Sequence, residues 1–209
     1  MFKQQRVILL VSFLLAVFMS SSMAVSSVDQ YIEKGNKRVT EQDYRGGIKY
    51  YSKAIAINPK DGDLYYFRAS AKEALSEYNG AIKDYTKAIM LNNKNYYAYF
   101  GRAVARTQTG EYEKAMNDFS SSIKINSDYY QAYYGRGLVK NTLNDPYGAI
   151  EDFTKSINIE PSYAIAYANR GSIKYSLGDK KGALSDLKVA SKLGFTDAYE
   201  LVNRIKMEL

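Results

Sequence analysis

The sequence predicts an all-α fold, a solenoid of five helix-turn-helix repeats followed by a C-terminal capping helix. Three observations predict it: a fixed 34-residue period, small residues at matching positions of each period, and a bulky residue between them. The period is marked by a tyrosine that returns without insertion, at Tyr31, Tyr65, Tyr99, Tyr133 and Tyr167. Such a period is typical of a repeat array whose units stack on one another.

Small and large side chains recur in the same register as this tyrosine. Two small positions are occupied by Gly35, Ala69, Ala103, Gly137 and Gly171, and by Gly47, Ala81, Ala115, Ala149 and Ala183. A bulky position follows at Tyr51, Tyr85, Phe119, Phe153 and Leu187. Small residues let two helices approach closely and large ones fill the space between them, so each period is predicted to be an antiparallel helix pair.

The predicted repeats form one continuous domain, residues 25–209. Their bounds are 28–61, 62–95, 96–129, 130–163 and 164–197, and a capping helix at 198–209 follows, with Leu201, Ile205 and Leu209 on one stripe. Left-handed turn residues are predicted to end the first helices at Gly110, Asn144 and Gly178. Acids are predicted at the start of the second helices, at Asp43, Glu77, Glu111, Asp145 and Asp179.

Composition limits the chemistry that the chain can perform. Hydrophobic residues make up 46% of it, enough for a sizeable core, and histidine and cysteine are both absent. This removes the commonest general base, thiol nucleophiles, disulfides and the usual nitrogen and sulfur metal ligands. We therefore predict no enzyme activity, no catalytic residue, no metal and no cofactor.

The N-terminal residues predict a secretory signal peptide, residues 1–24. Lys3 and Arg6 precede an apolar run from Val7 to Met19, and a small-residue stretch then ends at Ala24. The run is shorter than the roughly 20 residues that a membrane span requires. The sequence thus predicts export to the periplasm or the exterior, without a stable membrane span after cleavage. An uncleaved anchor is the alternative.

These residues resemble the tetratricopeptide repeat (TPR) family. The resemblance is plainest in the fifth repeat, with Tyr167-Ala168-Asn169-Arg170-Gly171, then Leu177-Gly178-Asp179, then Gly182-Ala183-Leu184. It covers about four fifths of the chain. It implies a right-handed superhelix whose first helices line a concave groove, and a groove that binds a peptide or a helix of another protein.

Helical geometry, at about 100° per residue, locates the groove face of each first helix. In the third repeat Tyr99 and Ala103 face the partner helix, so the opposite face carries Tyr97, Phe100 and Val104. The predicted partner-binding residues are Ile32, Asn36, Tyr66, Phe67, Ser70, Tyr97, Phe100, Val104, Gln108, Tyr134, Leu138, Asn141 and Asn169.

Three aromatic residues at the centre of this face form what we call the aromatic ladder: Tyr66, Phe100 and Tyr134. Half-exposed rings on a concave wall are typical of binding hot spots. The alternative is that these rings only pack against the neighbouring repeat, because adjacent first helices touch.

A second series, the arginine ladder, recurs at the same interval: Arg68, Arg102, Arg136 and Arg170. A further cation follows four residues after each, at Lys72, Arg106, Lys140 and Lys174, and acids recur in the same phase at Asp84, Asp118, Asp152 and Asp186. The first repeat has Lys34 and Tyr50 instead, so both partners change together. This predicts structural Arg–Asp ion pairs between the two helices of a repeat. The alternative is an anion or nucleic-acid site.

The predicted function is an exported, non-enzymatic scaffold that binds a peptide or helix of a partner protein, and not nucleic acid. One alternative is an assembly factor or chaperone for envelope components. Another is an accessory subunit of an enzyme acting on cell-wall polymer, for which Asp29, Asp63 and Glu73 are the carboxylates nearest the groove.

Overall fold

The computed structural model describes residues 27–208, and all regular secondary structure in that range is α-helical. The predicted signal peptide, residues 1–24, and Leu209 of the predicted capping helix lie outside the described residues. The helices are α1 (27–40), α2 (Tyr44–Ile57), α3 (Gly62–Ala74), α4 (Tyr78–Leu91), α5 (Tyr96–Gln108), α6 (Tyr112–Ile125), α7 (Tyr130–Thr142), α8 (Pro146–Ile159), α9 (Ala164–Ser176), α10 (Lys180–Lys192) and α11 (Ala198–Glu208).

The described helices are distributed over two compact units, which divide between Asn92 and Asn93. In the first unit α2 packs on α3 and α3 on α4. In the second, α5 packs on α6, α6 on α7, and so on in order to α11. The predicted helix-turn-helix pairing is thereby confirmed in each unit.

The core of each helix pair is built from the small and bulky positions of the period. The bulky side chains are all buried: Tyr51, Tyr85, Phe119, Phe153 and Leu187. They require small neighbours. A methyl group on Gly137 would lie only 2.8 Å from the ring of Phe153 and 3.3 Å from the carbonyl oxygen of Ala149. The close approach of α7 and α8 therefore depends on the missing side chain.

The turn between the two helices of a repeat contains a left-handed residue. This is confirmed for Gly110, Asn144 and Gly178, whose φ angles are 77°, 62° and 86°. In the first two repeats Gln42 and Ser76 adopt the same conformation, which their residue types did not predict. The reason is the hydrogen bonding of the helix end: the amide of the following residue donates to a carbonyl five residues back, a closure that needs positive φ whatever the side chain.

The predicted acidic caps of the second helices are present in three repeats. Asp43, Asp145 and Asp179 each accept a hydrogen bond of 2.9 Å from the amide three residues later. Glu77 and Glu111 also lie at the start of their helices, as predicted, but their carboxylates make no capping hydrogen bond. Glutamate has one more methylene group than aspartate, and residues of this length are not among the preferred N-caps.

The C-terminal helix α11 packs on α10 and covers its apolar face. Two described residues of the predicted stripe contact this core: Ile205 is fully buried and Leu201 is partly buried against it. Ala198 and Val202, which the stripe did not include, are also buried there.

Candidate protein-binding groove

In the first unit, four predicted groove residues line a concavity of about 440 Å³. Asn36 comes from α1, and Tyr66, Phe67 and Ser70 from α3. The hydroxyl of Tyr51 donates a 2.8 Å hydrogen bond to Asn36 Oδ1. This bond fixes the orientation of the amide at the wall of the concavity.

The rings of this first concavity pack on one another. The centroid of Phe67 lies 5.7 Å from that of Tyr51 and 5.7 Å from that of Tyr66. Tyr66 also lies 6.0 Å from Tyr85. Tyr66 and Phe67 are each half-buried, so each ring both packs and remains accessible.

In the second unit, five predicted groove residues surround one mostly apolar cavity of about 240 Å³. They are Phe100, Val104 and Gln108 of α5, with Tyr134 and Leu138 of α7. Two steps of the aromatic ladder, Phe100 and Tyr134, therefore belong to one site. We call it the α5–α7 cavity.

Phe119 and Gly135 both line the α5–α7 cavity, and the ring of Phe119 lies in the space that a side chain on residue 135 would need. A methyl group on Gly135 would lie 2.6 Å from Cε1 and Cζ of Phe119. At the equivalent position of the second repeat, Phe67 covers the ring of Tyr51. At this position of the repeat, a phenylalanine covers the bulky side chain in the first unit, whereas in the second unit a glycine leaves room for the ring of Phe119.

Two tyrosines that the sequence analysis missed hold the ladder rings in place. Tyr129 packs edge to face on Phe100 at 5.1 Å, and Tyr163 packs edge to face on Tyr134 at 5.1 Å. Both occupy the N-cap of a first helix and make no capping hydrogen bond with their side chains. The sequence contained a signal for them. Tyr129 and Tyr163 lie 34 residues apart, at the position of the repeat where Asn95 caps α5 in the third repeat.

Asn169 takes part in the site through Tyr134. Its Nδ2 donates to the Tyr134 hydroxyl oxygen at 3.1 Å and to the carbonyl oxygen of Ile165 at 2.9 Å. Burial, with a smaller contribution from Tyr163, raises the pKa of Tyr134 to about 12. The Tyr134 phenol is therefore neutral at physiological pH.

Besides Asn169, which contacts the second cavity only through Tyr134, three predicted residues lie outside the two concavities. Ile32 packs against the buried cluster that contains Val28 and Leu64. Tyr97 is 45% exposed and stacks on Tyr96, with centroids 4.0 Å apart. Asn141 is exposed near the C-terminal end of α7.

On another face of the first helices, every arginine of the ladder binds its aspartate through two nitrogens. In the third repeat Nε and Nη2 of Arg102 lie 2.8 and 2.7 Å from the two carboxylate oxygens of Asp118. Nη1 of Arg106 donates to the same carboxylate at 2.7 Å. The same pattern joins Arg68, Arg136 and Arg170 to Asp84, Asp152 and Asp186.

The arginines also connect successive repeats. Nη1 of Arg136 donates to the hydroxyl of Ser120 at 3.0 Å, and Nη1 of Arg170 donates to Thr154 at 2.9 Å, each in the preceding second helix. Below each guanidinium lies the period-marking tyrosine, as in Arg136 over Tyr133 at 5.7 Å. The ladder is thus engaged with carboxylates, hydroxyls and rings of the protein itself.

The family model of the Tetratricopeptide repeat matches residues 62–95, 96–129 and 130–163. Residues 62–163 are three TPR repeats. The matched bounds are those predicted from the period for the second, third and fourth repeats. The first and fifth repeats lie outside this match; the 34-residue period supports both, and the packing of α9 on α10 supports the fifth.

Solved TPR structures share the fold. A crystal structure of a MamA protein is 25% identical, with a TM-score of 0.72, and the match covers 83% of this chain and 94% of that one. PilF of Pseudomonas aeruginosa is 16% identical, with a TM-score of 0.76 and coverage of 89% and 91%. YrrB, described as a TPR protein with an unusual peptide-binding site, is 17% identical, with a TM-score of 0.65 and coverage of 78% and 84%. Among curated proteins no relative of significant similarity is found.

Two further features of the TPR repeats concern ions and membranes. Within residues 27–208, no group of three or more acidic side chains is arranged to hold a metal ion. In the same range, no helix combines the length and the apolarity needed to cross a bilayer.

A partly buried carboxylate of the second TPR repeat, Glu73, has a raised pKa. Burial raises the pKa of Glu73, while a 2.8 Å hydrogen bond from the Tyr85 hydroxyl partly offsets this. Relative to Glu73→Gln, the wild-type free energy of unfolding should therefore be highest below the ordinary glutamate pKa of about 4.3 and fall as the pH rises through the folded-state pKa. Urea denaturation of both proteins over a pH series measures the difference.

The hydrogen-bond donor offers a second variant for this test. In Tyr85→Phe the offsetting bond is lost, so the pKa of Glu73 should rise further and the pH dependence should steepen. A difference between wild type and Glu73→Gln that stays constant over the pH series would contradict the buried-carboxylate interpretation.

Proposed function

We propose that this protein is an exported scaffold whose concave groove binds a peptide or a helix of a partner protein. The observation that carries the proposal is the α5–α7 cavity, in which predicted groove residues of two successive repeats surround a mostly apolar space of about 240 Å³. Repeat solenoids bind partners along concave surfaces, and aromatic anchors in apolar pockets are the usual hot spots of interfaces. The peptide-binding site ascribed to YrrB is compatible with this use of the fold.

Export is the part of the proposal that rests on residues 1–24. The basic start, short apolar run and Ser22-Met23-Ala24 ending support cleavage after Ala24. Native protein should therefore begin at Val25 and be recovered from a periplasmic or secreted fraction. N-terminal sequencing and cell fractionation test this, and a cytosolic protein that retains Met1 would remove the exported role.

Truncating the central ring of the cavity should impair binding. Replacing Phe100 by alanine is expected to weaken the partner affinity about thirty-fold, or about 2 kcal/mol, because a half-buried ring offers apolar contact with little rotamer entropy to lose. The partner is first captured from the envelope fraction with the protein from Val25 onwards. The dissociation constant is then measured by calorimetry.

An aromatic residue away from the groove serves as the control. Tyr199 of α11 is 54% exposed, and Tyr199→Ala should bind the partner as wild type does. Because Phe100 also packs on Phe119 at 5.7 Å, circular dichroism must show that both variants are folded. Equal affinities for folded Phe100→Ala and wild type would place the contact surface outside this groove.

A further inference from the structure

The size and lining of the α5–α7 cavity define what can enter it. Four rings line it, those of Phe100, Phe119, Tyr134 and Tyr163. Its volume of about 240 Å³ has room for one bulky side chain and not for a packed helix. Rings that meet edge to face favour a further aromatic ring or a large aliphatic group at their centre.

The charge distribution of the surrounding helices restricts the partner further. No residue that lines the cavity is charged. The charged residues of α5 and α7 are Arg102, Arg106, Arg136 and Lys140, and each binds Asp118 or Asp152 on another face. A charged side chain that entered the cavity would therefore lose its hydration without gaining a counter-charge.

One polar atom at the cavity lacks a partner. Oε1 of Gln131, a lining residue on α7, is buried, and no donor among residues 27–208 reaches it. A buried acceptor without a hydrogen bond destabilises a protein, so a rotation of the Gln131 side chain that brings Oε1 to an N–H group of a ligand in the cavity would be favourable. A peptide backbone carries such a donor at every residue except proline.

From these three observations we propose that the partner segment is an uncharged stretch of polypeptide, which inserts one bulky apolar side chain into the α5–α7 cavity and donates a backbone N–H to Gln131 Oε1. This inference rests on the proposed function and names the chemistry of its ligand. The segment binds in an extended conformation, because a helix uses its backbone N–H groups internally beyond its first four residues, whereas an extended chain can offer one beside any side chain.

The direct test uses synthetic peptides about ten residues long, acetylated and amidated, with a Gly/Ser/Ala background and one central residue. The protein from Val25 onwards contains every residue that the structure describes. In NMR titrations the peptide with central Phe should bind, the peptide with Ala should bind about tenfold or more weakly, and peptides with Lys or Glu should not saturate. Equal binding of the Phe, Lys and Glu peptides, or no binding of the Phe peptide, would overturn the proposal.

Two variants locate the contact. Leu138→Ala removes a lining side chain that is 36% exposed, and Leu143→Ala is its matched control, since Leu143 is 40% exposed and does not line the cavity. Only Leu138→Ala should weaken the Phe peptide. Loss of affinity in both variants, or in neither, would overturn the assignment to this cavity.

The hydrogen bond is tested by methylating each backbone nitrogen of the Phe peptide in turn. In the wild type, methylation at one position should weaken binding. Gln131→Met replaces the amide by an apolar chain of similar length, and in this variant methylation at the same position should have no effect. An unchanged methylation profile in Gln131→Met would contradict the role of Oε1.

The outcomes separate this inference from the proposed function. If the captured partner depends on Phe100 but is not displaced by the Phe peptide, the groove binds its partner and the inference fails. If the partner depends on neither Phe100 nor Leu138, the proposed function itself fails.

Discussion

Replacing Asp118 by alanine should lower the free energy of unfolding by about 3–5 kcal/mol. The carboxylate is 4% exposed and accepts three hydrogen bonds of 2.7–2.8 Å, two from Arg102 and one from Arg106. These arginine side chains are only 13% and 17% exposed. The substitution leaves two poorly solvated cations without their anion, so the loss exceeds the net worth of the ion pair. Urea denaturation followed by circular dichroism measures it.

Two further variants test the cause of this loss. Replacing Asp118, Arg102 and Arg106 together by apolar residues of similar volume should recover much of the stability, because no buried charge then remains unpaired. Glu111→Ala, which breaks the exposed pair with Lys114, should cause no measurable change. If Asp118→Ala instead unfolded as wild type does and abolished partner binding, the arginine ladder would be a ligand site.

Replacing Phe153 by alanine should lower the free energy of unfolding by about 3–5 kcal/mol. The ring is 0% exposed and lies against Gly137 and Tyr134, whose centroid is 5.5 Å away. The backbones of α7 and α8 are held by other contacts of the pair, so the space left by the ring would remain largely as a cavity. Thermal and urea denaturation measure the effect.

The same helix provides the control for this prediction. Tyr147 of α8 is 69% exposed, and Tyr147→Ala should change stability by no more than about 0.5 kcal/mol. Phe153→Leu should cost less than about 1.5 kcal/mol, since the fifth repeat holds Leu187 at this position. Equal losses for Phe153→Ala and Tyr147→Ala would show that the bulky position does not support the pair.

The sequence predicted burial and turn conformation correctly wherever one type of residue recurs at the 34-residue period. The burial of Phe119 and Phe153 could be predicted from the alternation of small and bulky residues. A helix repeats its faces every 3.6 residues, and the 34-residue period places equivalent residues on the same face of each repeat. The left-handed turns at Gly110 and Gly178 follow from glycine itself. The left-handed conformation of Gln42 could not be predicted in this way. It is imposed by the hydrogen bonds at the helix end and does not depend on the type of side chain.

By itself the sequence determined the repeat, its helix pairs and the face on which each ring of the aromatic ladder lies. Only the tertiary structure decided how far each ring is covered: Tyr129 lies against Phe100, and Gly135 lets the ring of Phe119 approach the backbone of α7 beside the cavity. The physical reason is that helical periodicity sets the direction of a side chain from its position alone. Its burial, in contrast, depends on neighbours in other helices, whose distance and rotamers no one-dimensional pattern contains.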